Sequence, residues 1–301
     1  MDDLLATHFA HLFIRDPLVI FSEDLTKLDL DKTDHFENLQ STNWQHMRFK
    51  PPPHDEATGW RVEFRPMEIQ ITDFENAAFA IFIVLITRVI LSFDLNFYIP
   101  ITKVTENMET AHARDAILTQ KFHFRKNPFP SRPLRAFASS TSGTSTPGQS
   151  HSRPSSPYVS VEDEYELMSI DEIINGQQKA GGEAGFPGLI PLVENYLNSV
   201  NVDVETRCEL ARYLNLIQKR ASGKLWTGAK WIRNFVREHP EYKKDSIVGD
   251  GVCYDLIKAV EKITKGEDWD KGLGEQMLGR TTKQMVGSDI AVIPGSSGQS
   301  I

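Results

Sequence analysis

The chain has 301 residues, of which 40% are apolar and 25% charged, and it carries a formal net charge of −8. An acidic balance argues against a general nucleic-acid binder, whose surface is basic. Two cysteines, Cys208 and Cys253, are too few for a disulfide framework. They suit a reducing compartment, so we expect a cytoplasmic location.

The first predicted structure is a β-hairpin. Asn43 to Lys50 and Trp60 to Pro66 both alternate apolar and polar residues, which is typical of half-buried strands. The connecting loop, Pro51 to Gly59, begins with three prolines, and proline ends strand pairing because it lacks an N–H donor. Alternation places a set of apolar residues on one face, which we expect to be anchored on a core: Met47, Phe49, Trp60, Val62 and Phe64.

Helices dominate the rest of the chain. Thr72 and Glu75 form a T-x-x-E capping box, which predicts a helix from Asp73 to about Phe93. This helix contains the longest apolar run, Ala77 to Ile86, which is about half the roughly 20 residues that a membrane-spanning helix needs. We therefore interpret it as a core helix buried on most sides and expect no membrane association.

The later elements follow from caps and helical spacing. Ser169 with Glu172 forms a second capping box, and Asp203 is a predicted N-cap. The segment Lys121 to Lys126 is a predicted short strand. The remaining helices are predicted over Glu106 to Leu118, Pro187 to Val200, Asp203 to about Arg220, Leu225 to Glu238, and Val252 to Ile263.

Composition divides the chain into four parts. Ser139 to Pro157 is rich in Ser, Thr, Pro and Gly and cannot bury a core, so it is predicted to be disordered. The predicted parts are an α+β domain over 1–138, a disordered linker over 139–160, a helical region over 161–265, and a disordered tail over 266–301.

The other face of the hairpin has two interpretations. Arg61, Glu63 and Arg65 would share it with Arg48 and Lys50 if the strands pair. One interpretation is a solvated face with cross-strand ion pairs, each contributing about 0.2–1 kcal/mol. The other is a metal–phosphate site, because arginines bind transferring phosphoryl groups and magnesium is held by one or two carboxylates plus phosphates.

A resemblance favours the second interpretation. "RVEFRP" resembles the R-x-E-x-R-x-P pattern of glutamine-synthetase-like ligases, except that proline here directly follows the second arginine. Several stretches in the same order resemble the catalytic subunit of eukaryotic glutamate–cysteine ligases. They are "AHLFIRDP", "DHFENLQSTNWQHMRFKPPP", "GWRVEFRPMEIQITDFENAAF", "LMSIDEIING", "FPGLIPLVENYL", "VDVETRC" and "KRASGKLWTGAKWIRNFVREHP".

The resemblance implies both an activity and a fold. The family joins the γ-carboxylate of glutamate to the amine of cysteine through a γ-glutamyl phosphate, using ATP and Mg²⁺, in the first step of glutathione synthesis. It implies that the hairpin belongs to the antiparallel active-site sheet of a glutamine-synthetase-like fold, followed by a helical region.

The resemblance also implies roles for individual residues. Glu63 matches the magnesium-binding glutamate, and Arg65 matches the arginine that contacts the transferring phosphate. Arg61 either assists or only pairs with Glu63, and Arg48 and Lys50 are further phosphate candidates. Trp44 has two interpretations: it lines the substrate pocket, or it is an ordinary core residue.

Family members are much longer, so we expect this chain to be a C-terminal section that is inactive alone. Some members pair with a modifier subunit, and the region around Cys208 is a candidate contact, although a plain helix-face cysteine is the simpler interpretation. The alternative to an enzyme section is a non-catalytic helical interaction fragment of the same family.

Overall fold

The computed structural model describes residues 47–50, 61–129, 164–177, 185–267 and 273–278, together with positions 3, 6–8, 10, 11, 22, 26, 52 and 59. The chain divides into two compact units. The first comprises residues 1–70 and 100–106, and the second comprises residues 71–99 and 107–301.

The first unit contains the predicted hairpin. Strand β1, Met47–Lys50, pairs antiparallel with strand β2, Arg61–Phe64. The second strand ends at Phe64, two residues before the predicted end, and residues 43–46 and 60 of the predicted strands lie outside the described residues. The pairing itself is confirmed, and it sets the register of the charged face.

Helix α1, Asp73–Phe93, has the predicted bounds. The Thr72 hydroxyl accepts from the Glu75 N–H, and the Glu75 carboxylate accepts from the Thr72 N–H at 2.8 Å, so the capping box is confirmed. The prediction of burial on most sides is wrong, because Val84 and Leu91 are 59% and 72% exposed. A buried stripe that includes Phe74, Ala78 and Val89 lies in the core, and partly buried residues such as Phe79 and Ile86 pack beside it.

By length and composition alone, α1 is long and apolar enough to cross a membrane. Of the residues in its apolar window, 22% are buried inside the structure. Its first turn nevertheless carries Glu75, which is fully buried and forms an ion pair with Arg220. A buried, paired carboxylate that ties α1 to another helix identifies it as a core-facing helix of the second unit.

Helix α2, Ile101–Ala111, begins five residues earlier than predicted. The cause is Pro100, whose carbonyl accepts from the N–H groups of Lys103 and Val104 and so starts the first turn. Proline is tolerated there because the first N–H groups of a helix have no intrahelical acceptor. The predicted continuation to Leu118 is interrupted, and a separate short helix, α3, covers Ala116–Thr119.

Strand β3, Phe122–Arg125, confirms the predicted short strand. It pairs antiparallel with β4, Tyr165–Met168, which we did not predict. This pairing places residues on both sides of the predicted linker in one sheet. The two compact units therefore differ from the predicted domains, because α1, β3 and the helices share one unit.

The remaining helices confirm the predicted elements within a few residues. The Ser169–Glu172 capping box and the Asp203 cap, which accepts from the Thr206 N–H at 2.9 Å, are both present. These helices are α4, Ile170–Asn175; α5, Leu189–Ser199; α6, Val204–Ala221; α7, Gly228–Glu238; and α8, Asp250–Thr264.

One further helix, α9, Leu273–Leu278, lies in the tail that we expected to be disordered. The prediction is wrong for these residues, because Met277 is fully buried and Leu278 is 2% exposed. These two apolar side chains pack into the core beside α7. The rest of the predicted tail, apart from Gly266 and Glu267, lies outside the described residues, as does the predicted linker.

Candidate functional site

The hairpin brings the predicted charged residues into register. The Cα atoms of Arg48 and Glu63 are direct partners, and so are those of Lys50 and Arg61. Directly opposed residues of an antiparallel pair lie on the same face of the sheet. Positions 48, 50, 61 and 63 therefore share one face, as the sequence pattern predicted.

Glu63 lies between two cations. The Arg65 Nε donates to Glu63 Oε1 at 2.8 Å, and the Lys50 ammonium forms an ion pair with Glu63 Oε2. Both carboxylate oxygens are thus engaged, one by Lys50 of β1 and the other by Arg65, which directly follows β2. The side chains remain partly exposed, at 35% for Lys50, 37% for Glu63 and 24% for Arg65.

These contacts set the charge state of Glu63. Hydrogen bonds from Lys50, and next from Arg65, lower the pKa of the Glu63 carboxyl below its ordinary value of 4.5. Glu63 is therefore ionised at neutral pH. The resulting triad, Lys50–Glu63–Arg65, carries a net charge of +1.

The structure describes the other predicted site residues to different extents. Arg61 is exposed and lies opposite Lys50. Arg48 is placed by its backbone in β1, but its side chain lies outside the described residues, and so does all of Trp44. Their assignments as phosphate and substrate contacts stay predictions.

The opposite face of the hairpin departs from expectation. Val62 is 59% exposed and Phe64 is 44% exposed, so the prediction that they are anchored on a core is wrong for these two residues. The side chains of Met47, Phe49 and Trp60 lie outside the described residues.

The donor set bears on metal binding. Among the residues that the structure describes, no three His, Cys, Asp or Glu side chains lie close enough together to hold a metal ion. A single carboxylate, that of Glu63, is enough for a magnesium ion that completes its coordination with phosphates and water. The cations at Glu63 fit the same chemistry, since they can exchange a carboxylate for phosphate oxygens.

Two features could not be found from sequence spacing. Lys50 was only a secondary candidate, yet it is a direct partner of Glu63, because the partner across a hairpin depends on the register. Both cysteines lie exposed in the second unit, Cys208 on α6 and Cys253 on α8. Nothing in their spacing distinguished an exposed helix face from a buried one.

Comparison with known proteins is consistent with this site. The family model "Glutamate-cysteine ligase" matches residues 1–263. The chain is 67% identical over 296 residues to the glutamate–cysteine ligase of Neurospora crassa, which covers 93% of this chain and 40% of that protein. It is 51% identical over 263 residues to the glutamate–cysteine ligase catalytic subunit of Homo sapiens, which covers 87% of this chain and 39% of that protein.

The enzyme of Saccharomyces cerevisiae is 39% identical over 300 residues, which cover 95% of this chain and 39% of that protein. The chain thus spans about 40% of the length of the curated relatives it matches. The family model covers most of the chain and includes the entire hairpin. The chain belongs to the glutamate–cysteine ligase family.

Proposed function

We propose that this chain supplies the metal- and phosphate-binding hairpin of an ATP- and Mg²⁺-dependent glutamate–cysteine ligase. The observation that carries the proposal is the Lys50–Glu63–Arg65 triad, held in register by β1 and β2 in a chain of this family. A glutamine-synthetase-like fold of the complete protein is part of the proposal. It is supported by the antiparallel pairing of the two strands.

The proposed reaction has two steps. A γ-carboxylate oxygen of glutamate attacks the γ-phosphorus of ATP and ADP leaves, which gives γ-glutamyl phosphate. The cysteine amine then attacks the γ-carbonyl carbon, phosphate leaves, and the amine loses a proton. The protein's task in the first step is to bring two anions together, so fixed cations at the phosphate lower the barrier most.

The triad meets this requirement with its own residues. Arg65 presents a planar fork that binds two phosphate oxygens at once, and the Lys50 ammonium binds another as a point charge. Binding of phosphate draws both cations away from Glu63, which leaves its carboxylate available as a magnesium ligand. Mg²⁺ supplies neutralisation of phosphate charge when bound. Arg61 and Arg48 occupy neighbouring register positions of the hairpin and are further candidates for phosphate binding.

The test uses a complete enzyme in which this chain replaces the matching section of the Neurospora crassa relative. Glu63→Gln preserves side-chain volume and removes the charge, so we expect a raised Mg²⁺ requirement. Arg65→Lys removes the planar fork, so we expect kcat to fall about 10²–10³-fold. Glu194→Gln, at an exposed carboxylate on α5, is the matched control.

The same variants also define the result that would contradict the proposal. If the triad is only a solvated ion-pair cluster, both hairpin variants retain the kinetics of the control, because exposed ion pairs contribute roughly 0–1 kcal/mol. ADP release measured against Mg²⁺ concentration separates the two interpretations. Normal kinetics would favour the non-catalytic interaction fragment. Circular dichroism of each variant verifies folding.

Two further parts of the proposal concern partners and location. Relatives from rat, mouse and human are named catalytic subunits. We extend that organisation to this chain and place the contact of a modifier subunit around Cys208, which is exposed on α6. Two exposed thiols also suit a reducing, cytoplasmic environment.

A further inference from the structure

The side of helix α1 that faces away from the core is apolar. Ala80, Val84, Thr87 and Leu91 recur at the spacing of one helix face and are all exposed, Val84 at 59% and Leu91 at 72%. The Thr87 hydroxyl is the polar group of this set, and it donates to the Ile83 carbonyl at 2.9 Å. These four residues, called the outer stripe below, therefore present apolar side chains and one hydroxyl whose proton is already used within the helix.

The composition of α1 is not that of a helix that faces water. A surface helix carries polar residues opposite the core, and α6 does so with Glu205, Glu209 and Arg212 exposed. After Glu75, the sequence of α1 contains a single charged residue, Arg88. A helix that is apolar all round is typical of the core of a large protein or of a membrane span, so the outer stripe is suited to a contact.

A lipid surface does not suit the outer stripe. The other side of α1 is fixed to protein, because the fully buried Glu75 pairs with Arg220 of α6 and Val89 lies in the core. Helices that lie on a membrane surface carry several Lys and Arg residues beside their apolar face. Arg88 is the one such residue in α1. A protein surface is therefore the better cover.

The length of the relatives indicates which protein surface this is. The chain covers 40% and 39% of two ligases to which it is 67% and 51% identical, so more than half of such a protein lies outside it. The fraction of surface that a folded protein buries rises with its length. A section of a larger protein therefore exposes surface that the whole protein buries, and an apolar helix face is the kind of surface that becomes interior.

We infer that the outer stripe of α1 is an internal interface of the complete ligase, covered by an apolar surface from the part of that protein that lies outside this chain. The covering surface is uncharged where it meets Val84 and Leu91, because a charge buried there without a partner would be costly. The contact would hold the second unit to the rest of the enzyme through a helix that its own core already fixes. It depends on family membership and not on the Lys50–Glu63–Arg65 triad, so the two proposals can fail separately.

Thiol labelling at two matched positions of α1 tests this contact. Val84→Cys places a thiol in the outer stripe, and Val89→Cys places the same thiol on the buried side of the same helix. Each variant is made in the isolated chain and in the complete enzyme assembled with the Neurospora crassa relative. Peptide mass spectrometry measures the rate of modification by N-ethylmaleimide at each position, with a short cysteine peptide in the same solution as the rate reference.

The expected result is a difference between the two proteins at position 84 alone. In the isolated chain the thiol at position 84 should react almost as fast as the reference peptide. In the complete enzyme it should react at least about tenfold more slowly, since modification then requires local opening of the contact. The thiol at position 89 should be slow in both proteins. Circular dichroism verifies folding, and Leu91→Cys repeats the measurement at a second exposed position if Val84→Cys does not fold.

Two outcomes would overturn the inference. The first is equal, fast labelling at position 84 in the isolated chain and the complete enzyme. If vesicles of phosphatidylcholine and phosphatidylserine then slowed it, the outer stripe would be a membrane contact. The second is slow labelling in the isolated chain. A dependence on protein concentration would then identify a second copy of the chain as the cover, and no such dependence would place the cover within this chain.

Discussion

The ion pair between Glu75 and Arg220 is the sharpest test of how the second unit is held together. Glu75 is fully buried in α1, and Arg220 is 4% exposed near the end of α6. The Glu75 carboxylate also accepts from the Thr72 N–H and hydroxyl at 2.8 and 2.7 Å, and Arg220 donates to the Met277 carbonyl at 3.4 Å. One pair thus connects a helix cap, α6 and α9.

Arg220→Met removes the cation and leaves the buried carboxylate without its counter-ion. Breaking a buried pair in this way costs about 3–5 kcal/mol in the free energy of unfolding. Replacing both partners, with Glu75→Leu and Arg220→Met together, removes the stranded charge. It still loses the half of the capping box that the Glu75 carboxylate forms, at a cost of up to about 1 kcal/mol, while the Thr72 hydroxyl keeps the N–H of residue 75. We therefore expect the double variant to be more stable than Arg220→Met alone.

Urea unfolding, followed by helical circular dichroism, measures these differences from the midpoint and slope of each transition. Arg212→Met is the control, because Arg212 is exposed on the same helix and its replacement should stay within about 0.5 kcal/mol. The reasoning would be refuted if Arg220→Met cost no more than Arg212→Met. It would also be refuted if the double variant were less stable than Arg220→Met alone.

Three other predictions concern single features. Gly188 has φ of +91°, and a Cβ there would lie 2.5 Å from the Gly176 nitrogen. Gly188→Ala should therefore lower the free energy of unfolding by more than about 1 kcal/mol, whereas Gly228→Ala, with only ordinary contacts at 3.6 Å, should leave it unchanged or raise it. Hydrogen bonds from Lys258 and next Lys265 lower the pKa of Glu261 to about 2, so its stabilising effect is complete above pH 4.5 and is lost as pH falls through about 2. NMR titration should show that pKa rising in the Lys258→Met, Lys265→Met variant, and an unchanged value would contradict the assignment. Deleting residues 139–157 should change the free energy of unfolding by less than about 0.5 kcal/mol, and a large loss would show that the segment packs.

Interactions between residues close in sequence determined where several helices begin and which residues share the charged face of the hairpin. The capping boxes at Thr72 and Ser169 and the cap at Asp203 began helices where the sequence predicted, because the cap oxygen and the N–H that donates to it lie within four residues of each other. The charged face of the hairpin was equally readable, since alternation places Arg61 and Glu63 on one side whatever the rest of the chain does. Family membership followed from stretches that keep their order.

Tertiary structure decided what local chemistry leaves open. β4 exists because it pairs with β3 from across the segment 130–163, and α9 exists because Met277 and Leu278 enter a core built by distant helices. The partners of Glu63 depended on the hairpin register, and the burial of Glu75 depended on Arg220, 145 residues away. Apolar composition likewise could not tell which side of α1 meets the core, because Val84 and Val89 have the same side chain and only packing leaves one exposed and buries the other.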